Sequence, residues 1–159
     1  MQLFHVTLDL DHKGIFTPRV PENIYAYDDE EADTPRICFA PTLEGCLSSF
    51  PTGVYNLKEQ LEDTDNVIKV FRLTLPHPQV APKNIYTPQY LTQMGYVSDA
   101  WATGEHWLLK PITFTAQEVA FLKILSFDTA CIGKTGLKPA SKYQSGDVDC
   151  IMNLRYQTL

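Results

Sequence analysis

Three short stretches of the sequence bring together side chains able to do chemistry. Near the N-terminus, His5 and Thr7 stand two apart in the alternating run from Gln2 to Leu10. That period places them on one strand face, the exposed one, with Phe4, Val6 and Leu8 buried on the other. Arg36 stands just before Ile37-Cys38-Phe39-Ala40 and the turn Pro41-Thr42. A guanidinium beside a helix start suits a phosphate or a carboxylate. In Thr103-Gly104-Glu105-His106-Trp107, a glutamate follows a flexible glycine and opens a strand beside aromatics. That setting fits a general base or a charge-stabilising carboxylate. Each feature also has an ordinary reading: a structural histidine, a surface arginine near an N-cap, and a strand-edge glutamate facing water.

The strong local signatures are missing. The sequence contains no Walker loop, no GxGxxG, no HExxH and no GxSxG. Cys38, Cys46, Cys131 and Cys150 show no CxxC spacing and are flanked by apolar residues. They read as small buried hydrophobes in a reducing compartment, and no metal site is expected. A Cys–His pair that meets only in space stays open to the sequence, although no local motif points to one.

The elements that must position these residues follow from periodicity and turn residues. Ile37 to Ala40 is an unbroken apolar strand, expected to be central and buried. Thr42 then caps a short helix in which Leu43, Cys46, Leu47 and Phe50 have helical spacing. Leu57 to Asp63 suggests a second helical turn. Val67 to Leu75 is a strand ended by Pro76 and Pro78. Ile85 to Tyr96 is a loop holding a helical turn at Tyr90 to Met94, and Val97 to Ala102 is ambiguous. His106 to Leu109 is a strand that Ile112 to Phe114 continues after a kink at Pro111. Val119 to Phe127 is a further strand, and Asp149 to Tyr156 a last one. Lys13 to Glu31 is a long loop that carries the acidic run Asp28-Asp29-Glu30-Glu31.

These elements make residues 1–159 a single α+β domain that is rich in strands. About six or seven short strands are expected in a split or highly twisted antiparallel sheet, with few short helices and long loops. The chain has 159 residues, 44% of them hydrophobic and 20% charged, which suits a globular core. Its net charge is −6 and its pI about 5.1. That balance argues against nucleic-acid binding and anionic membranes, which rest on Lys and Arg. No signal peptide and no apolar stretch long enough to span a bilayer are read, so a cytoplasmic protein is expected.

Taken in order, the His-x-Thr strand, the stretch ICFAPTLEGCLSSF and the glutamate at a strand start form a pattern. It resembles the ADP-ribosyltransferase-like superfamily, which includes toxin-type ADP-ribosyltransferases and RNA 2′-phosphotransferases. The resemblance spans roughly Met1 to Leu125. It implies NAD as substrate, with His5 and its companion Thr7 contacting the ribose and nicotinamide amide. It makes Phe39 to Thr42, and so Thr42, the second motif, and Glu105 the catalytic acid that bonds the ribose 2′-hydroxyl. Arg36 joins the cofactor-binding set. Family members offer a Ser-Thr-Ser run or paired tyrosines in the second motif. Here only Thr42 is in register, with Tyr25, Tyr27 and Tyr55 as aromatic candidates. Thr103 stands two before Glu105, so the ExE or QxE pattern of arginine-directed transfer is missing. That leaves the acceptor open; some phage and mobile-element products of this outline act on host defence, and a macromolecular, protein target is expected.

Two other function classes fit the sequence. One is a non-catalytic acidic protein that inhibits or sequesters a macromolecular partner, using tyrosine-rich loops at Tyr25, Tyr27, Tyr86, Tyr90 and Tyr96. The other is an RNA 2′-phosphotransferase using Arg19 and Arg36, against which the acidic balance counts. The arrangement that separates them is whether His5 and Glu105 line one pocket.

Overall fold

The first strand, β1 (Gln2–Thr7), is packed on both sides, and that shapes the rest of the molecule. In a computed structural model describing residues 1–21, 31–133, 136–142, 144 and 146–159, the chain is a strand-rich α+β fold. Among these residues there are ten strands and four short α-helices. The remaining elements in chain order are β2 (Ile15–Phe16), β3 (Ile37–Phe39), α1 (Leu43–Ser48), α2 (Val54–Glu62) and β4 (Val67–Thr74). Then come β5 (Ile85–Tyr86), α3 (Pro88–Gln93), α4 (Ala100–Thr103), β6 (His106–Leu108) and β7 (Ile112–Thr113). The chain closes with β8 (Val119–Gly133), β9 (Gly136–Pro139) and β10 (Val148–Thr158).

The main sheet runs β1-β4-β8-β10, with β9 also paired to β8, and every pairing is antiparallel. A smaller sheet runs β3-β6-β5, and β2 pairs with β7. The two larger sheets meet where Phe4 and Ala40 exchange backbone hydrogen bonds of 2.7 and 3.0 Å. This is the split sheet expected from the sequence.

Strand side chains alternate between faces. Val6, Ile68, Val70, Leu122 and Ile124 lie on the face of the main sheet covered by α1 and α2, where they meet Leu43, Leu47, Leu57 and Leu61. Leu3, Phe71 and Leu73 lie on the other face, against Ile37, Phe39 and Leu108 of the small sheet. His5 belongs to this second side. The alternation holds, but the face it predicts to be exposed is covered by a second sheet, so both faces of β1 are packed. β3 is buried as expected, yet it is an edge strand of the small sheet rather than a central one. Its protection comes from packing against the main sheet. Ile112 does not continue β6 either; β7 turns away after Pro111 and pairs with β2. Helix α4 resolves the ambiguous stretch before Glu105.

Thr42 caps α1 as its type predicts, its hydroxyl accepting from the Gly45 N–H at 3.0 Å. Gly45 is itself demanded by packing. A side chain there would collide with the carbonyl oxygen of Thr103, the last residue of α4. That close approach seats α4, and Gly104, with φ of 73°, then turns the chain into Glu105.

Candidate functional site

The antiparallel pairing of β3 with β6 sets Cys38 opposite Trp107 and Phe39 opposite His106. Ile37 and Phe39 point into the aromatic core shared with the main sheet. Cys38 points the other way, toward Trp107 and Tyr96. Glu105 and Trp107 stand two apart, so they share that side. The Trp107 indole N–H donates to Glu105 Oε1 at 2.7 Å, and Trp107 has no solvent exposure. Tyr96 stacks on the indole with ring centroids 5.9 Å apart and planes 10° from parallel.

Arg36 closes this cluster. Its guanidinium carbon lies 3.9 Å from the Trp107 ring centroid, a cation–π contact. Its side chain is 1% exposed. Nη1 donates to the carbonyls of Glu31 (3.0 Å) and Thr34 (3.2 Å), and the Glu31 carboxylate lies 3.8 Å away. Arg36 therefore ties the segment before β3 to the indole. It is a buried structural cation rather than one extended toward a ligand.

Burial raises the Glu105 carboxyl above its ordinary range, and Asp99 adds to the rise. Hydrogen bonds from Trp107 and Cys38, and the charge of Arg36, act in the opposite direction without reversing it. Burial also pushes the Cys38 thiol well above its usual value, reinforced by the nearby Glu105. The thiol is thus un-ionised and unsuited to nucleophilic attack. Arg36, Cys38 and Glu105 form the base of a cleft of about 530 Å³. Its walls are the segment 48–56, Val97 and Asp99 before α4, and Asp149 on β10. The Tyr55 hydroxyl spans part of the opening, 3.5 Å from Asp149 Oδ1.

His5 lies elsewhere. Its imidazole packs against Phe16, Phe39 and Phe71, with centroid distances of 4.7, 5.7 and 6.4 Å. Nδ1 is 2.7 Å from the Cys38 carbonyl oxygen. A carbonyl only accepts, so this nitrogen carries the hydrogen. Burial pulls the His5 pKa down to about 4, against the partial support of that bond, so the ring is neutral. Successive strand residues face opposite ways. His5 contacts the Phe39 side of β3 and Glu105 the Cys38 side, so the strand stands between them. Thr7 ends β1 in a local turn, its hydroxyl accepting from the Asp9 N–H at 3.1 Å. Thr42 caps α1 and borders a different groove.

Of the five residues singled out in the sequence, Arg36 and Glu105 thus meet in one cleft, while His5, Thr7 and Thr42 do not join them. Tyr25, Tyr27 and the acidic residues 28–30 lie outside the described residues. The residues that sequence reasoning missed are Trp107, Cys38, Asp99 and Asp149. The Glu-x-Trp spacing was the available signal for the first, since it puts an indole donor beside the carboxyl on one strand face.

Among the described residues, no group of three or more His, Cys, Asp or Glu could hold a metal ion, and no helix is long and apolar enough to cross a membrane. Comparison with known protein families, with curated proteins and with solved structures finds no match for this chain.

Proposed function

We propose that this chain is a non-catalytic binding protein that engages a basic surface of a protein partner through the aromatic face of α3 and α4. The observation that carries this reading is the exposure of large apolar side chains on these two adjacent helices and at the C-cap of α3. Tyr90 is 37% exposed, Met94 49% and Trp101 49%. Tyr90 also belongs to a ring cluster with Tyr86 and Tyr96, with centroids 4.5 to 6.2 Å apart. Tyr, Trp and Met are the residue types enriched at protein interfaces. Trp107, stacked on Tyr96 and pinned by Arg36 and Glu105, braces this surface from inside. On this reading the Glu105 cluster is a support for an interface. The net charge of −6 favours a basic partner.

The test is a pair of variants, Tyr90→Ser with Met94→Ser, and Trp101→Ser. All three sites are surface positions, so the melting temperature should stay within a few degrees. Both variants should lose a stoichiometric complex that the unaltered chain forms and that weakens with added salt. Retention of that complex by both variants overturns the reading.

A second reading, an NAD-dependent ADP-ribosyltransferase-like enzyme, is favoured by one observation. Arg36 and Glu105 line the same cleft. Against it stands the position of β3 between His5 and Glu105. Calorimetric titration with NAD separates the two: the binding-protein reading expects no saturable heat.

A further inference from the structure

The outer strand of the main sheet on one side is β10, and the two halves of its edge differ. In the first half, the Ile151 N–H points away from β8 and is taken by the Ser48 hydroxyl of α1 at 2.9 Å. The second half follows the register shifts between Met152 and Tyr156. There the neighbouring strands fix the direction of each backbone group. The Ile124 N–H donates to the Asn66 carbonyl beside β4 at 2.8 Å, so Ile124 and, two residues away, Leu122 turn their backbone groups away from β10. Phe121 and Lys123 turn theirs toward it, and the Leu159 N–H donates to the Phe121 carbonyl at 3.0 Å. Gln157, opposite Lys123, is likewise directed at β8. Tyr156 and Thr158, opposite Ile124 and Leu122, therefore point their N–H and C=O groups out of the sheet. Among the described residues, no hydrogen bond reaches these four groups.

Residues 155–159 are all exposed. Helix α1 does not close this part of the edge, since Tyr156 and Thr158 line an open groove beside its first turn. A row of unpaired N–H and C=O groups is a template for another strand. The segment Leu154-Arg155-Tyr156-Gln157-Thr158-Leu159 has no proline or lysine to blunt it. In a chain of net charge −6 it also has no acidic residue, so it is a stretch on which two copies can meet without opposing carboxylates.

We propose that β10 pairs with β10 of a second copy of this chain, antiparallel, about a two-fold axis at Gln157. Tyr156 then lies opposite the partner's Thr158, and Thr158 opposite the partner's Tyr156. All the outward groups are satisfied in four backbone hydrogen bonds, and each Tyr–Thr pair joins an aromatic to a β-branched side chain on one face. Gln157 meets the partner's Gln157, and Arg155 meets the partner's Leu159, so no like charges stand opposite each other. The two-fold contact closes on itself, and association stops at the dimer. The proposal is independent of the α3–α4 surface.

The test is sedimentation equilibrium of the full chain from about 1 µM to about 1 mM. The unaltered chain should pass from monomer to dimer. Added salt should favour the dimer by screening the repulsion between two acidic copies, the reverse of its effect on a complex with a basic partner. Thr158→Pro removes an outward N–H and leaves the bonds to β8 intact, so the melting temperature should hold while dimerisation weakens about tenfold or more. Gln157→Cys sets two thiols at the axis, where opposed Cα atoms of a non-hydrogen-bonded pair stand about 4.5 Å apart, within reach of a disulfide. With oxidised glutathione it should give a covalent dimer, and Arg155→Cys, which faces the partner's Leu159, should not. A chain that stays monomeric up to about 1 mM overturns the proposal and leaves the edge to a strand of another protein. So does a Thr158→Pro chain that dimerises as the unaltered chain does, or cross-linking through Arg155→Cys as efficient as through Gln157→Cys.

Discussion

Replacing Gly45 by alanine sets two effects of opposite sign against each other, and the structure decides between them. Gly45 is inside α1, where alanine is intrinsically better by about 1 kcal/mol. On propensity alone, Gly45→Ala should stabilise the chain. The added methyl, however, would overlap the Thr103 carbonyl oxygen and crowd the Ala40 Cβ at 3.1 Å and the Thr42 hydroxyl at 3.2 Å. The first obstacle is backbone, at the end of α4, and cannot rotate aside. Overpacking of this kind costs roughly 1–3 kcal/mol, and a rigid obstacle places it at the upper end. The net expectation is a loss of about 1–2 kcal/mol. For a chain of this size, each kcal/mol lowers the melting temperature by about 2–4 °C. Urea unfolding followed by tryptophan fluorescence should show a lower midpoint with an unchanged slope. A Gly45→Ala chain as stable as the original, or more so, would mean that α1 does not approach α4 this closely.

Glu105→Gln should separate from the original chain with pH. Burial raises the folded carboxyl above the ordinary value of 4.5, so the folded chain holds a proton that the unfolded chain has released. Stability of the original therefore falls as pH climbs from 4.5 through the folded value and then levels. Glu105→Gln should lack that fall and be the more stable protein at neutral pH, as chemical denaturation across pH would record. His5 works in the reverse sense. With its folded pKa near 4 against 6.5 unfolded, stability should rise by up to about 3 kcal/mol between pH 4 and 6.5 and stay level above. His5→Phe should flatten that segment, and an imidazole resonance titrating near 6.5 would contradict the burial. Thr42→Ala should cost about 1 kcal/mol through the lost cap, measured as a drop in melting temperature. Trp107→Phe removes the donor to Glu105 and should cost about 1–3 kcal/mol.

Periodicity recovered what depends on local pattern. The strand at Phe4 and Val6, the Thr42 cap and the apolar spacing of Leu43 and Leu47 were all legible, as were the strands at Val70 and Leu122. What could not be read was which faces a second sheet would cover. His5 looked exposed because its neighbours alternate, yet Phe39 and Phe71 arrive from distant strands to bury it. β8 and β10 run further than expected because residues after Asp128 are held by cross-strand pairing rather than by apolar periodicity. A bulge near Asn153, with φ of 51°, also breaks the period in β10. At the site, Arg36 and Glu105 were picked for their types and do share a cleft. Their partner Trp107 carries the geometry, and its burial follows from the pairing of β6 with β3 and β5, a long-range contact.

On the proposed reading, the Glu105 cluster braces a binding surface and does not turn over NAD. The most direct measurement is nicotinamide release from NAD by the purified chain, followed over hours beside the Glu105→Gln variant. Release should be no faster than the protein-free blank for both. Release above the blank by the original chain, lost in Glu105→Gln while its folding is intact, would contradict it.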